Sequence, residues 1–345
     1  MLPGVYARTP GVTTQGISGV AWAHHLSTST VSMRSLLLVT LGLVLIVTGF
    51  AVGTLLPKRL DVAPVSLPAA LPAAAPPEGM SLSVLHTGTM TASALSAYRG
   101  GHPLKRYESG MAVVLVRHPS GDFLIDTGFG REAPAHLLDT PALMRWMAKA
   151  EFGEPAADQL RDAGYDPVGL TGIVLTHAHW DHVSGITDFP DIPVLVTAEE
   201  ADFITSGDPA AAVAIRVPIR RYRSLVLQDH SYLGFERSLD IHGDGSLVLV
   251  EMAGHTPGSM GVFVTLPSGR RYFFVGDLVW AMEGLTRPAE RPWIARHLVD
   301  HDAEAVRQTI GHVHQLMQRF PEIQVVPAHD ARVHQTLPEF PQMQR

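Results

Sequence analysis

Leu175-Thr176-His177-Ala178-His179-Trp180-Asp181-His182 packs three imidazoles and a carboxylate into six consecutive positions, directly after the aliphatic run Ile173-Val174-Leu175. Imidazole suits zinc, iron and other first-row ions, while a carboxylate adds neutralising charge and can serve a second ion. A helix would fan these side chains around its axis. A strand running into a tight loop lets His177 and His179 point one way while Asp181 and His182 curl back from the turn. The β-branched and aliphatic run before them reads as a buried strand. The four side chains therefore stand at a strand's carboxyl end, where open α/β sheets gather their sites.

Three further positions downstream have the same context. Gly254-His255-Thr256-Pro257-Gly258-Ser259 follows Leu247-Val248-Leu249-Val250, and its glycines and proline mark a tight loop able to hold one imidazole rigidly. Tyr272-Phe273-Phe274-Val275 reads as a strand that ends in Gly276-Asp277. Ile323-Gln324-Val325-Val326 runs into Pro327-Ala328-His329-Asp330. Singly, each is the kind of His or Asp that also serves as a turn or cap residue. Together with the first cluster, they describe one rim of a sheet bearing a metal site.

The H-x-H-x-D-H run, the G-H-T-P-G-S loop, the G-D strand end and the final P-A-H-D resemble the metallo-β-lactamase superfamily, over roughly Ser81 to the C-terminus. The resemblance implies an α+β fold, an αββα sandwich of two mixed β-sheets flanked by helices. It also implies two divalent metal ions, zinc first, with iron or manganese as alternatives. One would be held by His177, His179 and His255, the other by Asp181, His182 and His329, with Asp277 bridging them. Five neutral imidazoles and two carboxylates facing two divalent cations leave a net positive site, which favours a bound hydroxide by lowering the pKa of its parent water from 15.7 towards about 7.

Composition narrows the chemistry. Of 345 residues, 46% are hydrophobic, enough for a substantial core, and a net charge of −7 gives no basic patch for nucleic acid. That argues against the nucleases among the superfamily's members. The chain has no cysteine, which excludes disulfides, thiolate nucleophiles and the β-lactamase subclasses with a cysteine ligand. The histidine-only lactamase subclass usually lacks the bridging aspartate that Asp277 supplies here, so antibiotic hydrolysis is disfavoured twice.

Four segments are expected. Residues 1–33 lack apolar periodicity and are expected to be disordered, or to lie upstream of a start at Met33. Residues 34–57 carry an uncharged apolar run, Leu36 to Leu56, long enough to cross a bilayer core of about 30 Å. It reads as a membrane anchor or a signal segment, so the protein is expected to be membrane-anchored or exported, on the extracytoplasmic side. Residues 58–80 form a Pro/Ala-rich linker with prolines at 64, 68, 72, 76 and 77, expected to act as a semi-rigid spacer. Residues 81–345 form the catalytic domain.

Within that domain, Met111–Val116 and Asp122–Ile125 flank His118-Pro119-Ser120-Gly121 and predict a hairpin. Asp126 after it reads as a turn residue or, as the resemblance equally implies, as a partner orienting a metal-binding histidine. Ala142–Glu151 and Pro155–Ala163 read as helices, and Val306, Ile310, Val313, Met317 and Phe320 mark an amphipathic helix. His312 and His314 on it are two apart, cannot face one ion together, and are expected to be solvated. His297 and His301, four apart, read as a surface pair rather than chelators. Residues 208–243 show no clear pattern and are expected to wall the pocket.

The expected activity is metal-dependent hydrolysis of an ester-like carbonyl by a hydroxide shared between two metals, with Asp181 orienting it and shuttling its proton and Asp277 fixing the spacing between ions. Motif order is similar to N-acyl homoserine lactonases, which implies a lactone substrate. Where those relatives usually carry a tyrosine, three residues after the bridging aspartate, this chain has Trp280, which together with Trp180 could wall an acyl chain. A glyoxalase-II-like thioesterase is the alternative, with Arg216, Arg220, Arg221 and Arg223 as a basic patch. An iron-dependent sulfur dioxygenase shares much of the ligand pattern, and a ligand-binding sensor is the non-enzymatic reading. The expected partners are a small ester, lactone or thioester and, through the N-terminal segment, a membrane.

Overall fold

Alternation along the strands builds the layers. In the computed structural model, which describes residues 32–345, strand β2 (Arg106–Arg117) turns Val113 and Leu115 to one face and Val114 and Val116 to the other, and all four are buried. The first sheet has the order β4-β1-β2-β3-β5-β6-β7, adding β1 (Ser81–Ser93), β3 (Asp122–Ile125), β4 (Lys149–Phe152), β5 (Leu170–Val174), β6 (Val194–Thr197) and β7 (Tyr222–Leu225). The second has the order β12-β11-β10-β9-β8, from β8 (Ser238–Asp240), β9 (Leu247–Glu251), β10 (Met260–Thr265), β11 (Arg271–Phe274) and β12 (Ile323–Val326). Both sheets mix parallel and antiparallel pairs: β3 and β5 run parallel, as do β11 and β12, whereas β9–β10 and β10–β11 are antiparallel.

Three apolar clusters stack through the domain. The middle one joins the inner faces of the sheets, Val114, Val116, Ile125 and Val174 meeting Leu249, Val262, Phe274 and Val326. Outside the first sheet, Leu115, Leu124 and Ile173 pack on Leu160 and Ile204 from helices. Outside the second, Val248, Val250, Phe263 and Phe273 pack on Val306, Ile310, Val313 and Leu316 of the helix Ala303–Arg319. This is the αββα sandwich. That helix is capped by Asp302, whose side chain accepts from the backbone N–H groups of Glu304 and Ala305, an arrangement worth about 1 kcal/mol. Each fully buried aliphatic side chain on it adds about 1.5–3 kcal/mol.

Four expectations need correction. The helix from Ala142 stops at Met147, and Lys149–Phe152 pairs instead with β1 as an edge strand, Phe152 packing on Phe129 at 5.1 Å between centroids. Tertiary pairing overrode helix propensity there. His312 is buried rather than solvated, its Nε2 2.8 Å from the Leu233 carbonyl, and His314 Nδ1 lies 2.8 Å from the Leu285 carbonyl. Both rings fasten the helix to neighbouring loops. The patternless region contains β7 and β8, short strands whose pairing comes from their neighbours.

The Pro/Ala stretch is extended, as its prolines dictate, yet it is a strap and not a free spacer. Leu60, Leu67 and Leu71 pack on the outer cluster of the second sheet. The N–H of Leu60 donates to the Pro288 carbonyl, the N–H of Ala75 to the Asp244 carbonyl, and Arg271 donates to the Pro72 carbonyl at 2.9 Å. Considered by itself, Met33–Leu55 is one apolar helix of 23 residues. The expectation for residues before Met33 lies almost wholly outside the described residues.

Candidate metal centre

Four strand ends supply the cluster. Residues 177–182 follow β5, His255 follows β9, Asp277 follows β11 and His329 follows β12. The local sequence makes these turns tight. Gly276 has a φ of +51°, in the left-handed region that glycine enters freely. Gly258 sits so close to Thr197 and Glu200 that a Cβ would run into both. Trp180–Val183 forms a single helical turn that curls Asp181 and His182 back towards the strand end.

The structure brings all seven expected side chains together. Donor atoms of His177, His179 and His255 lie within 4.8 Å of one another, and so do those of Asp181, His182 and His329. Asp277 lies between the two groups, with Oδ1 3.0 Å from His329 Nε2 and 3.3 Å from His182 Nε2, and Oδ2 3.4 Å from His255 Nε2. His329 Nε2 is also 3.3 Å from Asp181 Oδ2. His297 is exposed and lies outside this cluster, as does His301, which contributes only its backbone N–H, donated to the His255 carbonyl.

Contacts behind the rings aim their Nε2 atoms inward. Nδ1 of His182 lies 2.8 Å from Asp126, that of His255 2.8 Å from Asp300, that of His329 3.2 Å from the Gly110 carbonyl and that of His177 3.2 Å from the Thr176 hydroxyl. Asp126 is thus the orienting residue and not merely a turn residue, and it also accepts from the N–H and hydroxyl of Thr176. Nε2 of His177, Nε2 of His255 and Oδ1 of Asp277 are buried with no hydrogen-bond partner. Buried polar atoms are seldom left so, and their convergence is what an ion would satisfy.

Charge divides unevenly across the cluster. Burial pushes His177 and His179 well below the usual imidazole range, and neighbouring imidazoles push them further. Burial opposes the charge on His182 and His329 too, but carboxylates outweigh it, Asp126 and Asp277 at His182 and chiefly Asp277 at His329, and both rings are raised. Against its own burial, Asp277 is held well below the usual carboxylate range by His329 and His182. The lowered pKa values of His177 and His179 leave those rings free to accept a cation, and at His182 and His329 a cation would displace the proton.

Two supporting residues escaped the sequence reading. Glu200 is fully buried and accepts from the N–H of Ala178 at 2.6 Å, the hydroxyl of Thr256 at 2.7 Å and the N–H of Gly258 at 2.9 Å. It clips the loop bearing His177 and His179 to the loop bearing His255. Asp300, behind His255, is held below the usual carboxylate range, against its burial, by the Arg291 guanidinium 2.8 Å away. Neither has a sequence signal beyond being an acid near a helix end.

His179, Asp181, His255, Asp277 and His329 of the cluster line a cavity of about 450 Å³. Its walls are mainly apolar, with Met90, Met111, Met144 and Met147 prominent, and its described lining includes no lysine or arginine. Residues 208–213 contribute to one wall, as expected of that region. Trp180 touches the cavity but chiefly stacks on Phe129 in the first core, 5.2 Å between centroids. Trp280 also lines it and donates its indole N–H to Asp277 Oδ2 at 2.8 Å. Of the arginines expected to form a basic patch, none lines the cavity: Arg216 pairs with Asp139 at 2.7 Å, Arg221 donates to the carbonyls of Ile186 and Ile192, and Arg220 and Arg223 are exposed.

The profile of the metallo-beta-lactamase superfamily matches residues 109–329. A probable metallo-hydrolase of Mycobacterium tuberculosis is 32% identical over 242 residues, covering 65% of this chain and 75% of its own length. The N-acyl homoserine lactonase AttM of Rhizobium radiobacter is 26% identical over 190 residues, 51% of this chain and 68% of its own. Among solved structures, an N-acyl homoserine lactone hydrolase with N-hexanoyl-L-homoserine at its catalytic metal centre aligns with a TM-score of 0.63 at 18% identity. The alignment covers 76% of this chain and 98% of that one.

Proposed function

The chain belongs to the metallo-beta-lactamase superfamily, and from that premise we propose that it is a hydrolase using two divalent cations to open an ester-like carbonyl, a lactone with an apolar tail. One observation carries the reading: five of the seven cluster residues, His179, Asp181, His255, Asp277 and His329, line an apolar cavity whose described lining has no lysine or arginine. Such a cavity favours a neutral substrate with hydrocarbon to bury. The carboxylates of a glutathione-type thioester, remote from the reacting carbonyl, would find no lysine or arginine in that lining.

The residues present fit two ions. His177, His179 and His255 would hold one, Asp181, His182 and His329 the other, and Asp277 offers one oxygen to each group. The imidazole-rich, thiolate-free donor set suits zinc. Two such ions supply Lewis acidity, polarising a carbonyl and making water a nucleophile near neutral pH. The chain supplies the rest. Asp181, only partly buried, lines the cavity with a carboxylate able to accept the nucleophile's proton and return it to the departing oxygen. Asp277 sets the separation of the two groups. The methionine walls hold the tail and keep bulk water from the reacting carbonyl.

The apolar helix Met33–Leu55 supports anchoring in a membrane or export as a signal sequence. The test of the activity is a hydrolysis screen of lactones, thioesters, phosphodiesters and β-lactams with the purified full chain and quantified metal. Turnover confined to acyl lactones or simple esters supports the proposal. Turnover confined to phosphodiesters or β-lactams, or one iron per chain with oxygen consumption, overturns it.

A further inference from the structure

A buried guanidinium connects the two halves of the cluster from behind. Arg291, 3% exposed, donates to the backbone carbonyl of Asp277 and, through Nη1, to Asp300 Oδ1 at 2.8 Å. Its Cζ lies 4.8 Å from the centroid of the Trp280 ring, a cation–π stack. Asp300 holds His255 Nδ1, and Trp280 holds Asp277 Oδ2. One arginine thus fastens the backbone of Asp277, the ring that steadies its carboxylate and the acid that steadies His255. Burying a guanidinium costs several kcal/mol unless it is well paired, and its Nε has no partner. Core packing alone does not explain a charge at this position.

An aspartate carboxylate turns readily about its last torsion. Here its two oxygens have different neighbours, Oδ1 facing His329 and Oδ2 facing His255. An indole N–H is a donor only, so it can hold Oδ2 without competing for a cation. We propose that Trp280 is a positioning residue for Asp277, clamped by Arg291, and that its N–H fixes which carboxylate oxygen meets which ligand group and so how firmly the cation on the His255 side is held. The inference rests on the two-cation reading of the cluster. It also gives Trp280 a role distinct from the acyl-chain wall expected from the sequence, because its polar edge is engaged by Asp277.

Two substitutions separate hydrogen bonding from packing. Trp280→Phe keeps a ring over Arg291 and loses the donor. Trp280→Gln loses the ring and keeps an N–H at the same number of bonds from Cα. The full chain, loaded with zinc, is challenged with dipicolinate, and the release of each zinc is followed with a colorimetric indicator. Replacing a partner behind a metal ligand typically costs about 10–100-fold in metal affinity. Trp280→Phe should therefore release one zinc at least about tenfold faster, while Trp280→Gln stays within about threefold of the parent. The reverse order, equal losses in both, or no change in Trp280→Phe overturns the proposal. If the parent chain itself holds no zinc, the two-cation reading has failed, an outcome distinct from a parent holding two with Trp280→Phe unchanged.

Discussion

Oδ2 of Asp126 lies 2.8 Å from Nδ1 of His182, and this contact decides which nitrogen of that ring faces the cluster. Asp126 holds the position with a φ of +58°, a left-handed conformation that aspartate and asparagine tolerate better than most residues. The turn after β3 is thereby coupled to the ligand group of His182, Asp181 and His329.

Replacing Asp126 by Asn keeps the backbone conformation but presents an amide where the carboxylate accepted from the ring. Metal affinity of the His182 group should fall about 10–100-fold, read by equilibrium dialysis against zinc. Undiminished binding of both ions would show that the orientation of His182 does not depend on this contact.

Glu200 joins two ligand loops, and its removal strands three buried donors. Glu200→Ala should lower unfolding stability by about 3 kcal/mol, since unsatisfied buried groups cost about 1–3 kcal/mol each and relaxation recovers part. Urea denaturation of chelator-treated protein reads this directly. A loss below about 1 kcal/mol would mean that the loops hold their places without the clip.

Acid should weaken the metal-free fold. His334 is buried, its Nε2 is 2.9 Å from the Pro327 carbonyl, and burial pushes its pKa down to about 4 from 6.5. Above 6.5 the ring is neutral in folded and unfolded chains and contributes nothing. Below 6.5 the unfolded chain binds a proton that the folded chain refuses until about 4, so stability drops across that window by up to about 3 kcal/mol. Burial shifts His136, His242 and His312 the same way. Denaturation with chelator at pH 7.5 and 4.5 should show the loss, and His334→Met should remove a large part of it. His182 and His329, raised by their carboxylates, act in the opposite sense, so the His334 contribution is the difference between the two chains, and an equal pH dependence in parent and His334→Met would contradict the burial argument.

The site was far more legible than the surroundings that hold it. His177, His179, Asp181 and His182 are adjacent in sequence, and His255, Asp277 and His329 each follow an apolar run that could only be a strand. Local pattern therefore located them, and the resemblance paired them. Asp300, Arg291 and Glu200 act through contacts between distant segments, which no local pattern encodes. Phe152 went to an edge strand because β1 offered unpaired backbone, and the strap at 58–80 lies on the domain because Leu60, Leu67 and Leu71 find apolar partners there. Composition alone registered the prolines and missed the leucines.

The methionine-lined cavity predicts a dependence on tail length. Each methylene buried contributes about 0.8 kcal/mol, so kcat/KM for acyl lactones should rise about fourfold per added carbon until the cavity fills. Met144→Glu should flatten that rise. Equal rates for short and long tails in the parent would remove the cavity from substrate selection.

The most direct measurement is the metal content of the full chain, purified without chelator and quantified by plasma emission alongside Asp277→Ala. The parent chain should hold two divalent ions, and the variant should lose metal and turnover together. A parent chain with fewer than two ions, or a variant that keeps both and remains active, would contradict the two-cation reading.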